Sequence, residues 1–275
     1  MMAVLNLTPD SFSGDGMLRV GEPSSADVAA AVDRGLRLED EGADVIDVGG
    51  ESTRPASVYP DARPVLPAVE LRRVLPVIDR LAGRLSAPMS IDTRKAEVAR
   101  AAVGAGAAMV NDVSMLECNP EMARSVAELG VPIVISHTRE RPVYRDVMAE
   151  VVADLQAAVD RAGEAGIGLD RVIVDPGIGF GKSVEQSLDV QRRLGEMSSL
   201  GLPVLVGASR KSSIGAVLDL PPDERLGGTA ATVALAIERG ADMVRVHDVR
   251  EMARVARMAD AIVRGWPTPR GHAGR

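Results

Sequence analysis

A glycine-rich stretch in the middle of the chain, "DPGIGFGKS", begins at Asp175 and has the composition of a phosphate-binding loop. A Walker A loop has the pattern G-x-x-x-x-G-K-[ST], but its first glycine would fall at Pro176. A dinucleotide loop counted from Gly177 needs a last glycine where the chain has Lys182. The stretch therefore predicts a sharp turn that presents the Asp175 carboxylate beside an apolar wall from Phe180.

Polar side chains stand where nearly every short apolar stretch of the sequence ends. Charged side chains at strand ends are costly to leave half-buried without a use, so a ring of them predicts a ligand site. The members of this set are Asn6, Asp47, Asp92, Asn111, His137, Asp175, Ser209, Arg210, Lys211, Arg245 and His247.

The residue types in this set indicate what the site could bind. A carboxylate beside an amide, as at Asp92 and Asn111, can read the edge of a heterocycle, although helix capping explains either residue alone. Arg245 and His247 suit a phosphate or pyrophosphate. A helix that starts after Lys211 would hold an anion such as a carboxylate at its N-terminus.

Two more loops follow the first two apolar stretches. "NLTPDSFSGDG" is either an ordinary turn or a mobile loop over the site, and "DVGGESTRP" has glycines that let the backbone approach a ligand. Arg54 could bind an anion or lie on the surface. The chain has two phenylalanines, Phe12 and Phe180, and both fall in such loops.

These residues need a scaffold, and the chain repeats one unit. "EGADVID", "AGAAMVN" and "RGADMVR" each place a glycine at a helix end, then a short apolar strand, then Asp47, Asn111 or Arg245. Further apolar stretches at 3–6, 88–92, 132–136, 171–175 and 203–209 alternate with helical periodicity. Eight such units predict a (β/α)₈ barrel, an α/β TIM barrel, with a doubly wound sheet as the alternative.

Length and composition fit one domain over 1–266, followed by a Pro/Gly-rich tail at 267–275 that we expect to be flexible. A net charge of −7 argues against nucleic-acid binding, and no apolar run is long enough for a membrane helix. A single cysteine, Cys118, fits a reducing cytoplasm. Three histidines and one cysteine do not make a zinc site, whereas Mg²⁺ carried in with phosphates remains possible.

Seven motifs in order, over about residues 2–250, resemble the dihydropteroate synthase family: "LNLTPDSF", "DVGGESTRP", "SIDT", "NDVS", "DPGIGFGK", "GASRKS" and "RVHDV". The resemblance implies that dihydropterin pyrophosphate is condensed with p-aminobenzoate in folate synthesis, with release of pyrophosphate. It implies Mg²⁺ as cofactor, inhibition by sulfonamides, and a homodimer formed by outer helices of the C-terminal half. It implies no protein nucleophile, only positioning and charge stabilisation.

The resemblance also assigns residues. The pterin would be recognised by Asp92, Asn111, Asp175, Gly207 and Lys211. Pyrophosphate would be bound by Asn6, Thr53, Arg54, Arg245 and His247, with Mg²⁺ on Asn6. The p-aminobenzoate site would be formed by Phe12, Arg54, Pro55, Phe180, Lys211 and Ser212. The groups that act on the reaction would be Asp92, Asn111, Asp175, Lys211, Arg245 and His247.

Several positions depart from the family pattern. The first loop reads "FSGDG" where "FSDGG" is usual, Ser136 stands for a methionine and Met115 for a glycine, and the stretch 138–146 is short. The second loop is long, with "SVYPDARPV". Because the first and second loops would shape the p-aminobenzoate pocket, their departures predict weaker inhibition by sulfonamides than in a typical member. Two alternatives follow: a pterin-binding paralogue with weak or no synthase activity, and a methyltetrahydrofolate-binding methyltransferase-type barrel.

Overall fold

The computed structural model describes residues 1–8, 23–52 and 65–266. All strands pair in parallel, in the order β6-β5-β4-β3-β2-β1-β8-β7. A bridge between Val174 and Val204 joins the two ends, so the sheet closes on itself. The predicted (β/α)₈ barrel is confirmed, and the doubly wound alternative is excluded. The strands are β1 Met2–Asn6, β2 Val45–Gly49, β3 Met89–Asp92, β4 Met109–Asp112, β5 Ile133–Ser136, β6 Val172–Asp175, β7 Leu205–Val206 and β8 Met243–Val246.

Helices cover the outside of this barrel. Because side chains alternate along a strand, every second strand residue faces outward, and these apolar residues pack with the helices into the main core. The helices are α1 Ser25–Asp40, α2 Pro67–Leu81, α3 Ala96–Gly104, α4 Met122–Leu129, α5 Val147–Glu164, α6 Val184–Arg192, α7 Ser212–Leu218, α8 Leu226–Glu238 and α9 Val249–Val263.

The interior of the barrel has an apolar floor. A second, smaller cluster contains one inward residue from each of seven strands: Met2, Val45, Met109, Val134, Ile173, Leu205 and Met243. Two positions further along the chain from each of these residues, the side chain is polar or small, with Val4 on β1 as the exception. The other residues are Asp47, Asn111, Ser136, Asp175, Gly207 directly after β7, and Arg245. The polar groups therefore lie above a dry base, at the C-terminal ends of the strands.

The local signals for α1 and the strand starts are confirmed. Ser24 caps α1 and forms a reciprocal capping box with Asp27. Gly42, Gly106 and Gly240, the glycines of the repeated unit, all have positive φ, which lets the chain turn from helix to strand.

One element differs from the sequence-based expectation. The apolar stretch 203–209 contributes only Leu205–Val206 to the sheet, because the chain leaves the barrel wall at Gly207. The helix predicted to begin after Lys211 is confirmed as the short helix α7, which precedes α8.

Within the described ranges, no helix is long and apolar enough to cross a membrane. The prediction of one domain over 1–266 with a flexible tail stays a prediction, because residues 267–275 lie outside the described residues.

Candidate active site

A buried ionic cluster occupies the interior of the barrel mouth. Arg245 on β8 donates from Nε to Asp47 Oδ2 at 2.6 Å and from Nη2 to Asp92 Oδ2 at 2.9 Å. Asn111 on β4 donates from Nδ2 to the same Asp47 oxygen at 3.0 Å. Strands β2 and β4 are not neighbours, so the Asn111–Asp47 bond spans the interior of the barrel.

One guanidinium pairs with two carboxylates in this cluster, and this imbalance of charge contributes to the pKa shifts of Arg245 and Asp92. Burial acts to lower the pKa of Arg245, but Asp47 and Asp92 outweigh it and the pKa is raised. Burial raises the pKa of Asp92 to about 7; Arg245 opposes the shift and Asp47 adds to it. A carboxylate with a pKa near neutrality in a cleft is typical of a functional group.

The cluster retains acceptor oxygens that bond to nothing else in the described part of the chain. Asp47 Oδ1, Asp92 Oδ1 and Asn111 Oδ1 are all buried, and none has a hydrogen-bond partner there. Buried polar atoms normally have partners, so orphaned acceptors need an explanation. Three such acceptors within one cluster fit a ligand edge that carries N–H donors.

Asp175 provides another buried carboxylate, at the end of β6. Its Oδ1 accepts the Gly177 backbone N–H at 2.8 Å and its Oδ2 accepts the Ser136 hydroxyl at 3.1 Å. Burial raises the pKa of Asp175 against these hydrogen bonds. Ser136 therefore fixes the orientation of this carboxylate.

Lys211 and Phe180 form the wall beside this carboxylate. The Lys211 ammonium lies 4.3 Å from the centre of the Phe180 ring, a cation–π contact. Gly179 lies beside the lysine, since a Cβ there would be in ordinary contact with Lys211 Cδ at 3.6 Å, and its φ of 80° favours glycine. Lys211 is also the N-cap of α7, so Ser212 begins a helix as predicted.

A backbone turn held from behind places Lys211. Arg210 has a φ of 56°, a strained conformation for a residue with a side chain. The guanidinium of the buried Arg225 donates to the carbonyls of Arg210 and Lys211 at 3.0 and 3.4 Å. Gly215 makes space for that guanidinium, since a Cβ at 215 would overlap it. The Lys211 backbone is thus fixed before any ligand binds.

His247 lies past the end of β8 and is oriented by Ser209. The His247 backbone N–H donates to Ser209 Oγ at 3.2 Å, and the ring Nδ1 lies 3.0 Å from the same oxygen. These contacts fix the imidazole on the same side of the barrel mouth as Arg245.

Asn6 ends β1 beside the acidic cluster. A Cβ at Gly49 would lie 3.7 Å from Asn6 Oδ1 and 3.8 Å from Asp92 Oδ2, so this glycine lets the two side chains share one area of the mouth. The described residues contain no group of three or more His, Cys, Asp or Glu that could hold a metal ion. A metal here would have Asn6 Oδ1 as its ligand from this area and would need further oxygens from a substrate or water.

Buried acidic side chains hold two loops near the mouth in place. Glu51, at the base of the second loop, pairs with Arg94 and Lys95, and Lys95 also reaches Glu70 Oε2 at 2.5 Å. Asp112 accepts the Ser114 hydroxyl and the Leu116 N–H, both at 2.6 Å.

Asp112 thereby stabilises a turn in which Met115 and Leu116 both have positive φ. A glycine would adopt this conformation at lower cost than Met115.

The structure thus brings together Asn6, Asp92, Asn111, Asp175, Phe180, Gly207, Lys211, Ser212, Arg245 and His247 around one barrel mouth. Phe12, Thr53, Arg54 and Pro55 lie outside the described residues, so their assigned roles stay predictions. Asp47 was noted as a strand end but given no role. Asp47 occupies the same position in the repeated unit as Asn111 and Arg245. This equivalence is the sequence signal that places Asp47 in the site.

Residues 2–247 match the family model described as pterin binding enzyme. The chain is 47% identical over 263 residues to the dihydropteroate synthase of Bacillus subtilis, covering 96% of this chain and 88% of the relative. The chain belongs to the dihydropteroate synthase family.

Solved structures of this family have the same fold. One is the dihydropteroate synthase of Clostridium difficile, determined in the presence of pteroic acid, with a TM-score of 0.88, 43% identity and 96% coverage of both chains. Another, from Xanthomonas albilineans with 4-aminobenzoic acid, has a TM-score of 0.86 and 44% identity, and the match covers 97% of this chain and 93% of that one.

The raised pKa of Asp92 predicts a pH dependence of pterin binding. Below about pH 7 Asp92 takes up a proton and stops accepting from a ligand N–H, so the Kd of a pterin analogue should rise as pH falls from 8 to 6. Isothermal calorimetry across this range measures the slope. In Asp92→Asn the affinity should be lower at every pH, and it should depend less steeply on pH. If the affinity of this variant depends on pH as steeply as that of the wild type, the proton is taken up by another group.

Asp175→Asn should weaken binding of the same analogue by about ten-fold or more, because hydrogen bonds to charged groups contribute about 1.5–3 kcal/mol. Circular dichroism should show an unchanged fold. Asp170→Asn is a matched control, since Asp170 is exposed and lies before the opposite end of β6. Equal affinities for Asp175→Asn and the control would show that Asp175 does not contact the pterin.

Proposed function

We propose that this protein joins 6-hydroxymethyl-7,8-dihydropterin pyrophosphate to p-aminobenzoate, giving 7,8-dihydropteroate and pyrophosphate. The observation that carries the proposal is the set of orphaned acceptors at Asp47, Asp92 and Asn111, with Asp175 across the mouth. The pterin edge carries N–H donors that need such acceptors. The family membership supports the same reaction.

Each side of the mouth would have a separate task. Asp92, Asn111 and Asp175 would accept from the pterin, and Lys211 would lie above Phe180 along one side. Arg245 and His247 would stabilise negative charge as the bond between the methylene carbon and the pyrophosphate oxygen breaks. The p-aminobenzoate amine then bonds to that carbon and releases a proton, so no protein nucleophile is needed.

The start of α7 would hold the carboxylate of p-aminobenzoate. Ser212 lies in the first turn of that helix, where backbone N–H groups and the helix dipole favour an anion. We include Phe12, Thr53, Arg54 and Pro55 from the first two loops in the proposal on the strength of the motifs alone. Sulfonamides, as copies of p-aminobenzoate, would compete for the same position.

Mg²⁺ belongs to this proposal as well. When bound with the pyrophosphate it would supply charge neutralisation on the leaving group. Asn6 offers a single amide oxygen, which suits an ion that keeps most of its ligands as phosphate oxygens and water.

The decisive measurement is pyrophosphate release by the purified protein. Release should require dihydropterin pyrophosphate, p-aminobenzoate and Mg²⁺ together, and chelation should abolish it. In Asn6→Ala the Mg²⁺ concentration for half-maximal rate should rise. If both substrates bind and no product forms above background, the paralogue alternative is correct and the synthase proposal is wrong.

A homodimer in the cytoplasm completes the proposal. Several apolar side chains on the outer helices of the C-terminal half are exposed to solvent, and a homodimer formed by these helices would cover them. They include Val217 and Leu218 on α7, Leu226 and Leu235 on α8, and Met258, Ile262 and Val263 on α9.

Sedimentation equilibrium should therefore give twice the chain mass. Leu235→Glu combined with Ile262→Glu should give a monomer, because two buried charges would oppose association. Leu169→Glu is the control, since Leu169 is similarly exposed but precedes β6, away from these helices. A monomeric wild type would refute the dimer without affecting the proposed reaction.

A further inference from the structure

The chain uses lysine very sparingly. It has three lysines among 32 basic residues, and all three follow the C-terminal end of a strand: Lys95, Lys182 and Lys211. Lys211 faces the site and Lys95 pairs with Glu51 and Glu70. Lys182, in the glycine-rich stretch after β6, has no role in the reaction described above.

Lys182 points away from solvent, beneath its own loop, and is buried. Its Nζ lies 2.8 Å from His137 Nδ1, 3.0 Å from the Gly177 carbonyl oxygen and 3.2 Å from the Phe180 carbonyl oxygen. Three acceptors converge on one amino group, and burial lowers the pKa of Lys182 to about 7, with Asp175 opposing the shift. A planar guanidinium cannot reproduce that convergent arrangement, which explains why arginine does not stand here.

His137 is matched to this lysine. Its ring is fully buried, and Nε2 lies 3.1 Å from Asp154 Oδ2. Burial, and then the charge of Lys182, lowers the pKa of His137 to about 3. The ring is therefore neutral, with Nε2–H donating to Asp154 and Nδ1 accepting from Lys182.

The backbones on either side of this contact touch directly. Gly177 and Gly181 have positive φ, and a Cβ on them would overlap the carbonyl oxygens of His137 and Arg139 respectively. The Tyr144 hydroxyl also donates to the Gly181 carbonyl at 3.0 Å. The loop after β5 and the loop after β6 are packed into one body.

Arg139 anchors this body to α5. Its guanidinium donates to Asp154 Oδ2 from Nε and Nη2 at 2.9 and 2.7 Å, and to Glu150 Oε2 from Nη1 at 2.7 Å. It also lies 4.3 Å from the centre of the Tyr144 ring. The stretch 138–146 is therefore held in place by contacts with α5.

We propose that Lys182 and His137 are a positioning pair that locks the loops after β5 and β6 into one rigid wall and so fixes Phe180 for substrate binding. This inference rests on the proposed function. Neither residue contacts a reacting atom. Lys182 acts through the Phe180 and Gly177 carbonyls, which are the two ends of the turn closed by the 3.0 Å bond from Phe180 N to Gly177 O.

The pair should matter more for one substrate than for the other. Asp175 keeps its hydrogen bond from the Ser136 hydroxyl, which involves no partner of Lys182, whereas the Phe180 carbonyl accepts directly from Lys182. Loss of the ammonium should therefore loosen the Phe180 wall and leave the pterin carboxylate in place.

Kinetics of Lys182→Met test this directly. The KM for p-aminobenzoate should rise about ten-fold, as expected for a lost charged hydrogen bond, while kcat at saturation and the pterin-analogue Kd change by less than about three-fold. Lys182→Arg should show the same rise. An unchanged KM in Lys182→Met, with an active wild type, would overturn the inference.

A double-mutant cycle separates a pair from two independent residues. His137→Leu should raise the KM like Lys182→Met, and the double variant should be no worse than either single one. His137→Asn keeps an acceptor near the Nδ1 position and should retain a near-normal KM. Arg100→Met, in an exposed pair with Glu128, is the control whose effect should multiply with that of Lys182→Met. Multiplying effects of Lys182→Met and His137→Leu would refute the pair.

Nitrogen-15 NMR of the imidazoles provides a readout that needs neither turnover nor a stable variant. In the wild type, His137 should remain the neutral Nε2–H tautomer between about pH 5 and 7, where an unperturbed histidine titrates. Protonation of His137 in this range would contradict the inference even if the enzyme is active. A protein without synthase activity but with this His137 signal would instead contradict the proposed function and leave the loop-locking pair intact.

Discussion

The pairing of Arg245 with Asp47 and Asp92 is the interaction on which the rest of the site depends. Buried charges are tolerated only when they are paired and hydrogen-bonded, and one guanidinium cannot satisfy two carboxylates completely. The incomplete pairing leaves acceptor oxygens without hydrogen-bond partners in the described residues, and the pKa of Asp92 is raised. A ligand that donates N–H groups would satisfy these oxygens. The same cluster that balances the buried charges would therefore recognise the ligand.

The barrel makes such a cluster possible. The apolar floor seals the interior from below, and parallel strands direct their inward polar residues to a common end. The walls are then fixed from behind by polar anchors that do not face the pocket: Arg225 behind Lys211, Lys95 behind the second loop, Asp112 behind the Met115 turn, and Lys182 with His137 behind Phe180. Supporting contacts of this kind keep pocket side chains in place before a ligand binds.

Much of this architecture is predicted by short-range sequence patterns. Helix caps, glycine turns and the repeated apolar stretches specify the strand–helix units, and strand-end polar residues specify which edge carries the site. Strand parity also implied that Asp47 faces inward. Sequence spacing does not say which side of a loop a side chain occupies, so Lys182 beside its glycines gave no sign that it turns inward to His137. The bond between these residues spans 45 positions and exists only because β5 and β6 are neighbours.

The same pocket imposes a cost on the fold that its ligand relieves. The pKa of Asp92 in the folded state is about 7, above the value of about 3.9 for an exposed aspartate. Ionisation of Asp92 therefore destabilises the folded state progressively as pH rises between these two values, and the destabilisation is complete above about pH 7. In the proposed complex, a pterin edge that donates to the Asp92 carboxylate would favour its ionised form and lower this pKa. Substrate binding and folding are linked through one proton, and the free enzyme tolerates the strain because activity requires an acceptor that is neither solvated nor satisfied.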